Sequence, residues 1–240
     1  MPRAYGLTVT GKLVRFPVND PAAVTLVGTI GDLGRDDQLV GIDIRPAGRA
    51  LYGVGDQAGV FTVDKATAVA TVVGRIDAVL SGLHFGVDVD PVEDELRVVS
   101  LAGQNLSYDP GSDTTTPDHF LTYPPSTGAA HGSVGLAYTN SDALGGTGTK
   151  PYTVDVQRDQ LARLTHEGNG TLARVGALGV DAIGEAGFDV LNSLRGYAVL
   201  RTAAGTGLYT VNLRTGAAAL VGRFPTTMKV VDLAVPVPAA

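Results

Sequence analysis

Apolar residues in this chain fall in short runs rich in Val, Leu, Ile, Tyr and Thr, each bounded by Gly, Asp, Asn or Pro. That is the pattern of short β-strands separated by tight turns. Many runs are apolar on both faces, as in sheets covered on both sides. The runs form a set of four that recurs five times, about every 45 residues. A period of that length built only from strands predicts a β-propeller.

Strands a to d are numbered outward from the axis of such a ring. Strand a is Gly41–Ile44, Gly86–Val89, Gly135–Tyr138, Gly187–Val190 and Val231–Ala234. Strand b is Tyr5–Leu7, Tyr52–Val54, Arg97–Val99, Tyr152–Val154 and Tyr197–Val199. Strand c is clearest as Val60–Asp64 and Leu208–Asn212. Strand d is Val24–Val27, Val69–Val73, Phe120–Tyr123, Leu172–Val175 and Ala218–Val221. The chain starts at a strand b and ends at a strand a. The last strand therefore belongs in the first blade and closes the ring without a covalent link. The expectation is an all-β, five-bladed β-propeller with four antiparallel strands per blade, occupying residues 1–240 as one domain.

The repeat text resembles the bacterial domain-of-unknown-function family 4394. The resemblance rests on Gly41-Ile42-Asp43-Ile44-Arg45-Pro46, Leu96–Ser100 with Gly103–Leu106, Ala137–Asn140, Val175–Asp181 and Thr215–Gly222. It spans essentially the whole chain. It implies a small propeller, often exported, and no particular activity.

Composition narrows the function classes. Of 240 residues, 44% are hydrophobic, enough for a sizeable core. Net charge is −6 with no Lys/Arg run, which argues against nucleic acid and anionic membrane surfaces as partners. No apolar stretch approaches the ~18 residues of a membrane span, so membrane insertion is not expected. Cysteine is absent, excluding disulfides and thiolate chemistry. Met1–Tyr5 runs straight into the repeat, so the sequence reads as cytoplasmic, or as secreted if a leader has been removed.

Two sets of residues can carry chemistry. Four inner strands share an acid, Asp43, Asp88, Asp189 and Asp232, with Ala137 at the fifth place. A propeller gathers these around one axis. They then either hold a divalent cation in the central channel or accept backbone hydrogen bonds that lock blade to blade. The second set precedes strand a and varies between repeats: Asp37 and Gln38, His84, His131, Glu185, Lys229. These d-to-a loops converge with the b-to-c loops on one mouth of the channel. His84, His131, Glu185 and Lys229 are catalytic or transition-metal candidates, or else solvated loop residues. Asp37, Gln38 and Tyr123 are candidates for ligand contact. His119 and His166 are assigned to the surface. Arg97 replaces Tyr in the strand-b column and is expected to pair with Asp88 or Asp43.

Two glycine-rich segments carry no phosphate or dinucleotide site. Gly145–Lys150 has the wrong spacing, and Gly53–Ala58 lies between two strands with no helix after it. No serine-hydrolase elbow, zincin motif or complete calcium loop occurs. The expected function is binding of a small molecule or glycan at the channel mouth. An enzyme using His/Glu/Lys or metal chemistry there, in a biosynthetic pathway, is the alternative. A rim that binds proteins is a third reading and needs an exposed apolar patch.

Overall fold

The computed structural model describes residues 2–140, 148–192 and 194–236. The chain forms five four-stranded antiparallel sheets. Blade I joins β1 (Arg3–Thr8), β2 (Lys12–Pro17) and β3 (Thr25–Thr29) to the last strand, β20 (Val230–Ala234). Blade II holds β4 (Leu39–Ile44), β5 (Leu51–Gly55), β6 (Gly59–Val63) and β7 (Ala70–Arg75). Blade III holds β8 (Phe85–Val89), β9 (Leu96–Ser100), β10 (Asn105–Asp109) and β11 (Thr114–Pro117). Blade IV holds β12 (Ser133–Tyr138), β13 (Pro151–Asp155), β14 (Gln160–His166) and β15 (Thr171–Ala177). Blade V holds β16 (Ala186–Asn192), β17 (Arg195–Thr202), β18 (Gly205–Asn212) and β19 (Ala218–Arg223). This is the expected five-bladed propeller. It closes as expected, with Tyr5 opposite Ala234 and Leu7 opposite Asp232.

Buried apolar residues gather between neighbouring blades. One cluster each fills the I–II, II–III, III–IV, IV–V and V–I interfaces. Inner strands such as β5 and β9 are buried on both faces. The outermost strands keep a wet side: Val72 on β7 is exposed, while Ala70 is buried. Apolar residues on both faces of a run thus reflect blades stacked face to face.

The glycine two residues before the acid position of four inner strands, Gly41, Gly86, Gly135 and Gly187, has a packing role. A Cβ on Gly86 would sit 2.7 Å from the Leu136 amide nitrogen, and one on Gly135 would sit 2.9 Å from Phe188 Cβ. A Cβ on Gly41 would strike Val87, and one on Gly187 would strike Asp232. Each glycine lets the next inner strand approach, and together they narrow the channel.

Two expectations need correction. In blade III the outer strand is β11, not Phe120–Tyr123, which follows it and runs against blade IV, with an isolated bridge from Thr122 to Thr171 and Leu121 in the III–IV core. The run Thr114–Pro117 lacks the Val/Leu signal of the other outer strands, and the apolar run after it carries that signal instead. Arg97 does not pair with a channel acid. Its guanidinium lies 2.6 Å from Asp118 and 3.4 Å from Glu167, and its Nε donates to the Tyr138 hydroxyl at 2.8 Å. This buried network joins blade III to blade IV. Of the glycine-rich insertion 139–150, residues 141–147 lie outside the described residues. Its neck is closed by the Thr139 amide donating to the Lys150 carbonyl (3.0 Å).

Candidate functional site at the channel mouth

The loops leading into β4, β8 and β16 and the β1–β2 turn meet at one end of the channel. They line a cavity of about 170 Å³ with Gln38, His84, Phe85, Glu185, Thr8 and Val9 among its walls. His84 comes from blade III and Glu185 from blade V, yet His84 Nδ1 lies 3.4 Å from Glu185 Oε2. Both side chains are a little over a quarter exposed, so the pair faces the opening. Gln38 stands at its exposed rim. An imidazole, a carboxylate and an amide carry donors and acceptors for a polar ligand.

A second cavity of about 510 Å³ adjoins the first and shares Val9 and Glu185 with it. The β17–β18 turn and the loop before β20 form its walls, which include Arg201, Arg223, Phe224, Met228 and Lys229. Lys229 therefore belongs to this cleft and not to the lining of the central cavity. Arg201 connects the two: its Nη2 and His84 Nε2 lie 3.1 and 3.6 Å from where a Gly184 side chain would begin. Gly184 has φ of +76°, a conformation suited to glycine, and its bare backbone leaves room for both groups.

The remaining candidates lie apart from the mouth cavity. His131 is exposed, and its carbonyl accepts from Arg158 (3.3 Å). Asp37 is exposed, with its amide donating to Asp56 Oδ1 at 2.9 Å. Tyr123 donates to Asp155 Oδ2 at 2.8 Å beneath the Arg158 guanidinium, 4.6 Å from its ring centroid. Burial and the Asp155 charge raise the Tyr123 pKa, so it stays a neutral donor. His119 and His166 are exposed, as expected.

The acid ring occupies the other end of the inner strands. His84 immediately precedes β8 and Asp88 lies near its far end, and four residues of extended chain separate their backbones by about 13 Å. Asp232 of blade I accepts from the Ile42 amide of blade II (2.8 Å), and Asp43 of blade II from the Val89 amide of blade III (3.0 Å). Asp88 of blade III accepts from the Tyr138 amide of blade IV (3.3 Å), and Asp189 of blade V from the Val235 amide after β20. Each acid thus ties its blade to the next. The series is interrupted at Ala137, the inner-strand position of blade IV.

All four acids are nearly inaccessible. Burial raises their pKa values, and the charge of Asp189 further raises that of Asp43. Asp189 is pushed up to about 6, chiefly by burial and against the two amides it accepts from. Oxygens of Asp43, Asp88 and Asp189 lie within 4.8 Å of one another beside a cavity of about 10 Å³, room for one water-sized species. These three can hold a cation. Asp232 is outside that group. Asp43, Asp88 and Asp189 already accept backbone amides, leaving fewer free oxygens than the six to eight a calcium ion takes.

Residues 12–234 match the family model described as Domain of unknown function (DUF4394). The chain belongs to this family. The search of curated proteins returned no match. Among solved structures, a structural genomics protein of unknown function from Bacteroides thetaiotaomicron aligns with TM-score 0.59 and 13% identity, over 87% of this chain and 56% of that one. A chain of a nidogen/laminin complex aligns with TM-score 0.59 and 11% identity, over 98% and 97%. An auxiliary nutrient binding protein from Bacteroides thetaiotaomicron aligns with TM-score 0.52 and 15% identity, over 90% and 56%. The chain spans little more than half the length of the first and third of these. Identities this low speak for a shared propeller fold.

Arg201 and Arg223 are the mouth residues that sequence reasoning on this DUF4394 chain missed. Their signal was their position: Arg201 is one residue from the end of β17, at a b-to-c turn, and Arg223 ends β19, where a d-to-a loop begins, and both kinds of loop share the mouth.

Proposed function

We propose that this protein binds a small polar molecule at the channel mouth, between the loops that carry Gln38, His84 and Glu185. The observation that carries the reading is the His84–Glu185 contact at 3.4 Å, made across the mouth by residues of two non-adjacent blades beside a cavity of about 170 Å³. The five-fold repeat does not require this pair, because the residue at this place varies among the blades and His131, in the equivalent loop of blade IV, lies outside the cavity lining. The fold likeness to an auxiliary nutrient binding protein agrees with a binding role. The mouth is poor in aromatic rings, which favours a compact hydrogen-bonding ligand over a long glycan that stacks on them.

The test is a thermal-shift screen of the native protein against sugars, amino acids and nucleosides, followed by calorimetry. The expected result is a ligand whose affinity falls about tenfold or more in His84→Ala and in Glu185→Gln, the loss of a hydrogen bond to a charged group. Equal affinity in both variants would move binding away from the mouth and overturn the reading.

The same pair supports a second reading. A carboxylate beside Nδ1 orients an imidazole so that Nε2 can take a proton, the arrangement of a general base. A bound molecule turned over by the native protein and left intact by His84→Ala would establish this.

A further inference from the structure

We infer that the cleft between the β17–β18 turn and the loop before β20 is a binding site for a small organic anion with an apolar body. The inference goes beyond the mouth reading and stands without it, since neither Gln38 nor His84 lines the cleft.

Charge is the first support. The molecule carries net charge −6, yet this cavity of about 510 Å³ gathers Arg201, Arg223 and Lys229 against a single carboxylate, Glu185. That carboxylate faces His84. None of the three cations forms an ion pair with a carboxylate among the described residues, whereas Arg45, Arg75, Arg97 and Arg158 each do. Cations concentrated in one concave place on an acidic protein focus field toward an incoming anion.

Positioning is the second support. Arg201 Nε donates to the Ile183 carbonyl (3.2 Å), and Arg223 Nη1 to the Gly205 carbonyl (3.4 Å). Each guanidinium is anchored by one N–H of five, and the others remain for a planar anion such as a carboxylate. The turn between them is Ala203-Ala204-Gly205, with no bulky side chain to fill the space.

Apolar surface is the third. Val9, Pro225 and Met228 line the same cavity beside Phe224, whose ring is fixed edge-on against Phe16 at 4.9 Å. A ligand that is purely ionic would leave these walls unused. One with a hydrocarbon or aryl portion covers them while its anionic end meets the guanidinium groups.

The probe is anilinonaphthalenesulfonate, which joins an aryl body to one negative charge. Native protein is expected to bind it saturably at one site, with displacement by octanoate and much weaker displacement by the neutral octyl glucoside. Arg201→Gln with Arg223→Gln should weaken binding about tenfold or more, while Arg201→Lys with Arg223→Lys, which keeps the charge, should retain most of it. The double variant Arg174→Gln with Arg214→Gln, remote from the cleft, controls for net charge. All six substitutions fall on side chains whose loss leaves the core intact, and melting temperatures check this. Equal loss in the control variant, affinity of the Gln variant within about twofold of native, or equal displacement by octanoate and octyl glucoside would each overturn the proposal. Failure here leaves the His84 and Glu185 test of the mouth unaffected, because that test uses neutral or zwitterionic ligands and different variants.

Discussion

Asp88 shows how one residue serves the repeat and sets a cost at the same time. Its carboxyl accepts the Tyr138 amide and so ties blade III to blade IV, but it does so out of water and near Asp43. The folded-state pKa values of Asp43, Asp88, Asp189 and Asp232 lie above the ordinary 3.8, and that of Asp189 is about 6. The folded state therefore holds protons that the unfolded chain has released. Its stability is highest below about pH 4 as far as this ring is concerned, and is lost as pH rises through the folded-state values. Asp88→Asn keeps an acceptor for Tyr138 and removes one charge. It should raise the melting temperature at pH 8 and change it less at pH 5. A cation in the ring reverses the sign, and added calcium would then stabilise the native protein at pH 8 but not Asp88→Asn. Gly86 makes the complementary point about shape. Gly86→Ala puts a methyl group against the backbone of β12 and should destabilise the protein by about 1–3 kcal/mol, measured by urea unfolding.

At the level of elements, ring closure depends on β20. It supplies the inner strand of blade I and, with Val235 just after it, brings Val230 and Leu233 to the V–I interface. Removing residues 225–240 leaves β1 with an open edge and the Asp189 carboxyl without its Val235 donor. The expected outcome is loss of cooperative unfolding by circular dichroism, and an unchanged melting temperature would refute non-covalent closure. Strand order was legible because every element repeats, so a weak copy could be read from a strong one. The outer strand of blade III was not. Outer strands touch only one neighbour and are partly wet, so burial imposes little apolar pattern on Thr114–Pro117.

Across the whole molecule, the candidate function and the stability lie at opposite ends of one channel. The acid ring and the glycines hold the inner strands together, and the mouth pair is partly exposed. His84→Ala combined with Glu185→Gln should therefore leave the melting temperature within a few degrees of native, while changing ligand affinity as described above. A large fall in stability would mark the pair as a structural tie. The mouth was only partly legible in the sequence. Position in the repeat indicated which loops converge, and His84, Glu185 and Gln38 do meet. His131 and Asp37 occupy equivalent loops, yet they lie outside the cavity lining, because loop length and side-chain direction vary from blade to blade.

Periodicity alone determined the number of blades, the order of strands and the sharing of blade I between the two ends of the chain. Burial repeats with the elements it acts on, so it writes itself into the spacing of apolar residues and glycines. Pairings across the channel leave no such trace. That His84 meets Glu185, that Arg97 turns to Asp118 and Glu167, and that Arg201 and Arg223 share a cleft with Lys229 were decided by tertiary structure. These contacts join residues far apart in sequence through the curvature of the ring, and no local pattern encodes them.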